Sequence, residues 1–141
     1  MEKWVLYALI SMVFAGFTAV IAKLGLTGIS GDLGLAIRTC FVFVFTLLFA
    51  ATVVPRAELA AVSTGNVVWL GLSAITTTVS WVFYYKAIKL GQVSSVALID
   101  KGSVIVSVLL AVVILREALT MQKVVGAALV VSGIVVIARS P

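Results

Sequence analysis

The amino-acid sequence predicts an all-α membrane protein, a bundle of five transmembrane helices. Three observations predict it. Of the 141 residues, 63% are hydrophobic and 11% charged, and the mean hydropathy is +1.30. A soluble domain is nearer 45–50% apolar and about 25% charged. The apolar residues fall into five runs, Trp4–Ala22, Leu33–Val54, Val67–Ile88, Val93–Leu115 and Met121–Ala138. Each is near the roughly 20 residues that cross a hydrocarbon core. Within the runs apolar and polar residues do not alternate, as they would in the strands of a membrane β-barrel. The connections Lys23–Asp32, Pro55–Asn66, Lys89–Gln92 and Arg116–Thr120 are short, so each helix is expected to lie antiparallel beside its predecessor. The length fits a single transmembrane domain over residues 1–141 and leaves no room for a soluble module.

Composition also removes function classes. The chain has no histidine, and its one cysteine, Cys40, lies in an apolar run. Zinc sites, histidine-based triads and internal disulfides go together on that ground, and Cys40 reads as a small packing residue. No metal or cofactor is expected. A formal charge of +5 invites a nucleic-acid partner, but the ten Lys and Arg residues are scattered singly. Scattered cations in such a chain anchor helices at the interface and set topology, so no nucleic acid is expected.

The first span resembles a signal peptide in having a positive residue before a hydrophobic run. The run is longer than a typical h-region of about 7–15 residues, and no small-x-small site precedes Lys23, so it is expected to stay as a helix. Ala8, Ser11, Ala15, Ala19 and Ala22 share one face of it, a stripe that lets backbones approach closely. The second span carries Arg38, about five residues or roughly 7.5 Å inside its start, shallow enough to snorkel to the interface. The third carries Ser73, Thr76, Thr77, Thr78 and Ser80, followed by Trp81, Tyr84, Tyr85 and Lys86. Its hydroxyls can bond the preceding turn, and its aromatic residues can form an interfacial belt.

The fourth span is the most informative. Asp100 and Lys101 sit side by side within it, roughly 10–12 Å from Val93 and near the bilayer midplane. A charge at that depth costs at least ~2.5–3.5 kcal/mol, so such residues face a bundle interior or water and mark a pathway. Asp100, Ser103, Ser107 and Ala111 share one helix face, a polar and small lane, while Lys101 points roughly 100° away toward a different neighbour. The fifth span is uncharged beyond its first turn and has Gly126, Ala127, Ala128, Ser132 and Gly133, a packing or dimerisation pattern.

Alternating direction puts Lys23, Arg38, Trp81, Tyr84, Tyr85, Lys86, Asp100 and Lys101 in the same half of the bundle. An Arg38–Asp100 pair would offset part of the cost of each charge. At or near the span ends, Lys3, Arg56, Arg116 and Lys123 fall on one side and Lys23, Lys86, Lys89 and Arg139 on the other. That balance gives almost no orientation bias, so either the chain inserts both ways round and pairs with an inverted copy, or a weak bias still fixes one orientation.

The stretch from Tyr84 to Ile137 resembles the EamA-type repeat of the drug/metabolite transporter superfamily. The residues that carry the resemblance are A-x-x-x-G-Q-V-S-S-V at Ala87–Val96, the apolar run ending in Glu117 before Leu119-Thr120, and G-A-x-L-V-x-x-G at Gly126–Gly133. Lys23-Leu-Gly and Arg38 after a Gly-rich loop agree with it. Many repeats of the family have proline in the fourth helix where this chain reads Ile99-Asp100-Lys101, and the glutamate of the first helix used by four-helix multidrug exporters is absent. Family members usually carry two inverted repeats in a ten-helix chain. The resemblance therefore implies half of such a transporter, a single-repeat member that works as an antiparallel homodimer or with an oppositely oriented paralogue.

The expected function is secondary transport, as exporter or facilitator, of small polar or amphipathic metabolites such as amino acids across the plasma or inner membrane. Arg38, Asp100 and Lys101 are the candidate substrate-binding or gating residues. Trp81, Tyr84, Tyr85, Ser103 and Ser107 are candidates for the cavity wall. The alternatives are flipping of a lipid-linked intermediate and a non-transporting membrane subunit in which Arg38–Asp100 is a lock. No nucleophile–base set points to an enzyme.

Overall fold

The computed structural model describes residues 2–139. Among them are seven helices and no strand. They are α1 (Lys3–Gly25), α2 (Gly31–Val53), α3 (Arg56–Leu59), α4 (Thr64–Leu90), α5 (Val93–Asp100), α6 (Ser103–Ile114) and α7 (Met121–Ala138). Five stretches are long and apolar enough to cross a membrane, with α5 and α6 together making the fourth. The five predicted spans are all present. Several helices extend past their apolar runs into polar ends, because the backbone ladder continues wherever caps allow. The helices fall into two compact units, one ending at Leu90 and the other beginning at Gly91.

In the first unit α2 and α4 form the main pair. The α1–α2 connection turns at Gly28, whose φ of 78° lies in the left-handed region that glycine enters without strain. Ser30 caps α2, its Oγ accepting from the Leu33 N–H at 3.2 Å, and Asp32 in the first turn suits the positive end of the helix. Two glycines then allow close approach. A Cβ on Gly31 would lie 2.9 Å from the Tyr85 carbonyl oxygen, and one on Gly34 would lie 2.2 Å from Leu26 Cδ2. The buried core of this unit gathers there, with Ala19, Leu26, Leu35, Tyr85 and Ile88. The rest of the α1 stripe meets less: Ala8, Ser11 and Ala15 are exposed. At the other end of the pair, Pro55 follows the last turn of α2, and the connection read from sequence as a loop holds the single-turn α3. Ser63 and Asn66 form reciprocal caps at the start of α4, with Asn66 Oδ1 accepting from Ser63 N–H at 3.0 Å and Ser63 Oγ accepting from Asn66 N–H at 3.2 Å.

In the second unit α5 and α6 both pack on α7. The fourth span was expected to run unbroken from Val93 to Leu115. It is interrupted at Lys101–Gly102, where N–H groups of Gly102, Val104 and Ile105 bond carbonyls three residues back at 2.9–3.1 Å. Glycine is a poor helix former, and a Gly–Ser pair is a common site of helix interruption. Gly102 is also where α7 comes close, since a Cβ there would meet Ile134 Cδ1 at 3.1 Å. The half-buried face of α7 is Ala127, Val130, Ile134 and Ile137. Gly126 and Gly133, expected to make contacts, have open space around them within the chain.

Candidate functional site

Arg38 lies seven residues into α2, because the helix begins at Gly31, which is roughly 10 Å of rise rather than the shallower depth read from sequence. Its guanidinium does not extend along the helix to the interface. The guanidinium carbon lies 4.4 Å from the centroid of the Trp81 ring and 5.9 Å from that of Tyr85, one turn further along α4. A guanidinium over an aromatic face gains about 0.5–2 kcal/mol, more as water is removed. Tyr84 adds an edge-on contact to Tyr85, ring centroids 6.4 Å apart. These aromatic residues therefore seat a cation rather than forming only an interfacial belt. Arg38 Nη1 is buried and has no hydrogen-bond partner among the described residues. A buried donor without an acceptor costs about 1–3 kcal/mol, more for a charged group.

Arg38 also lines a cleft of about 520 Å³ between α1 and α2. Its walls are mostly apolar, including Ile21, Ile37, Phe41 and Phe45. Phe41 and Phe45 follow Arg38 at i+3 and i+7 and stack at 6.2 Å between centroids. A second cleft, about 530 Å³, lies between α2 and α4, with Trp81, Thr78, Thr39 and Cys40 in its wall. Cys40, read from sequence as a packing residue, is exposed there. The α4 threonines bond the preceding turn as expected: Thr76 and Thr77 donate to the Ser73 carbonyl at 2.9 and 2.8 Å, and Thr78 donates to that of Ala74 at 2.8 Å.

Beyond the aromatic seat, the ends of α1 and α4 are cross-tied. Lys23, in the last turn of α1, donates to the carbonyls of Ile88 and Lys89 at the end of α4. Lys89 donates back to the Leu26 carbonyl at 2.7 Å. Each lysine thus satisfies terminal carbonyls of the neighbouring helix and complements its negative end. Lys86 and Asp32 add an exposed pair at 3.5 Å.

In the second unit, Asp100 and Lys101 are neighbours in space as well as in sequence. Lys101 Nζ is 3.9 Å from Asp100 Oδ2, at the long limit of an ion pair, and both side chains are partly exposed. The two were expected to point toward different neighbours, and their charged ends come to the edge of ion-pair distance. Residues i and i+1 do not face each other in regular helix, and here the ladder is interrupted at this step. Ser103, Ser107 and Ala111 line one groove of about 310 Å³, as the helix face predicted, but Asp100 is not in its wall. Ser107 donates to the Ser103 carbonyl at 3.0 Å. Glu117 and Lys123 close the groove with a 3.0 Å ion pair. Ahead of that pair, Arg116 adopts a left-handed φ of 54° as α6 ends.

The structure thus brings Arg38, Trp81, Tyr84 and Tyr85 together in the first unit. In the second it pairs Asp100 with Lys101 and puts Ser103 with Ser107. The sequence reading missed Phe41 and Phe45, whose spacing from Arg38 was a visible signal. It also missed the Glu117–Lys123 pair across the α6–α7 turn, and the lysine cross-tie, which depends on tertiary approach and has no local signature.

Apolar helices of spanning length make this an integral, multi-pass membrane protein. The chain belongs to the EamA-like transporter family, whose model matches residues 2–139. It is 31% identical over 137 residues to a Sinorhizobium protein described as an uncharacterized transporter in the cobO 3′ region, with 97% of each chain covered. No solved structure matches the chain. The protein is a membrane transporter.

Proposed function

We propose that the protein is a secondary transporter, exporter or facilitator, of small polar or amphipathic metabolites, amino acids among them, in the plasma or inner membrane. The observation that carries this reading is Arg38, a half-buried cation seated on Trp81 in the wall of an apolar cleft, its Nη1 without an acceptor among the described residues. Such a donor is destabilising until something supplies an acceptor, and a pathway residue is the class of residue for which that cost is retained. Arg38, Trp81, Tyr84 and Tyr85 form one polar station on the route. Asp100, Lys101, Ser103 and Ser107 form another, beside the break in the fourth span. The two units act as one transmembrane domain, and the working form is an antiparallel homodimer or a pair with an oppositely oriented paralogue.

Metabolite profiling of cells with and without the protein tests this reading. Wild type changes the internal-to-external ratio of a defined set of small metabolites. Asp100→Asn inserts normally but loses at least tenfold of that effect, and adding Arg38→Gln does not restore it. Recovery of transport in the double variant would make Arg38 and Asp100 a structural lock, since removing both members of a buried pair relieves the uncompensated charge.

A further inference from the structure

The cleft between α1 and α2 holds three polar side chains, Thr18, Arg38 and Tyr85. Thr18 donates to the Phe14 carbonyl at 2.9 Å, within its own helix. Tyr85 is 4% exposed, beneath Arg38. The Arg38 guanidinium is the group whose need is unmet. Trp81 and Tyr85 hold this planar cation at 4.4 and 5.9 Å from their ring centroids. Aromatic contact neutralises none of its N–H donors, which lie in the plane of the guanidinium. Arg38 lines the cleft, and a carboxylate matches the planar fork of its N–H donors.

We infer that Arg38 receives the carboxylate of a substrate whose apolar body lies against Phe41 and Phe45. The inference rests on the transport reading and names its substrate class. Charge supports it: the cleft wall has one cation and no anion, so it balances one negative charge. A phosphate dianion would bring a second, unpaired charge, and a neutral amide would leave the guanidinium uncompensated. Size agrees, since about 520 Å³ falls within the roughly 300–1,000 Å³ of small-molecule sites. A carboxylate on an apolar body can come from a soluble organic acid or from a fatty acid in the bilayer.

Trp81 supplies the readout. In full-length protein in non-ionic detergent carrying Trp4→Phe and Trp69→Phe, Trp81 is the remaining tryptophan. Titration with 3-phenylpropionate is expected to change its emission saturably, at a concentration at least tenfold below that needed with 3-phenylpropanamide. Arg38→Lys keeps a weaker preference for the acid, and Arg38→Gln loses it. Oleate competing at lower concentration than the short acid identifies the bilayer as the source, and the reverse identifies a soluble acid. Equal half-saturation by acid and amide overturns the inference, as does an acid preference that survives Arg38→Gln. Should Arg38→Gln not fold, the acid–amide comparison in the parent protein decides. Flux into proteoliposomes separates this claim from the transport reading. Acid-selective binding without flux of any solute overturns transport alone, and flux without acid preference at Trp81 overturns the carboxylate site alone.

Discussion

Around Arg38, two glycines decide how close the neighbouring elements can come, and they make the aromatic seat possible. Gly31 brings the first turn of α2 against the backbone of Tyr85, the residue that carries one face of the seat. Gly31→Ala would press a methyl group to 2.9 Å from a carbonyl oxygen that cannot rotate away. Thermal unfolding in detergent should show a loss of about 1–3 kcal/mol, the usual cost of overpacking. Gly16→Ala is the control: nothing lies within 4 Å of a Cβ there, so it should be neutral or stabilise α1 by up to about 1 kcal/mol. A loss in both variants would show that helix contacts beyond this chain, not the Tyr85 approach, set the sensitivity. At this scale the sequence made the cation legible, because arginine inside an apolar run is expensive and stands out. It did not make the vacancy at Nη1 legible, because whether a donor finds an acceptor depends on partners brought by other helices.

The helices show where hydropathy informs and where it is blind. Five spans were legible because roughly 20 apolar residues in a row have few alternatives in a chain this hydrophobic. The interruption at Lys101–Gly102 was not, because the charges there were read for their cost and the glycine left the hydropathy unchanged. The single turn of α3 was hidden in the same way, by the proline and polar residues around it. The cross-tie between α1 and α4 gives the element-scale prediction. Lys23→Met and Lys89→Met each remove donors from the carbonyls at a neighbouring helix end. Each should lower stability in detergent by about 0.3–1 kcal/mol. The double variant should lose less than the sum, because the two lysines tie the same pair of helix ends. Strict additivity would mean that the two lysines act independently.

On the scale of the whole molecule, large apolar side chains make up much of the exposed surface of the spans. Phe43, Phe45 and Phe49 of α2 are each more than 60% exposed, and so are Leu129 and Val136 of α7. In a bilayer lipid would cover such a surface, and the proposed second copy would cover part of it. Gly126 and Gly133 on α7, open within the chain, suit the close backbone approach that a helix partner in lipid requires. The cations near the span ends divide evenly between the two sides, and the match covers 97% of the Sinorhizobium relative. The proposed inverted pair would supply from two copies what an inverted repeat supplies within one chain. The most direct measurement is the orientation of the C-terminus, read with one reporter active only on the cytoplasmic face and another active only on the opposite face. The account predicts that both fusions are active to comparable degrees. Activity confined to one face would contradict the antiparallel homodimer.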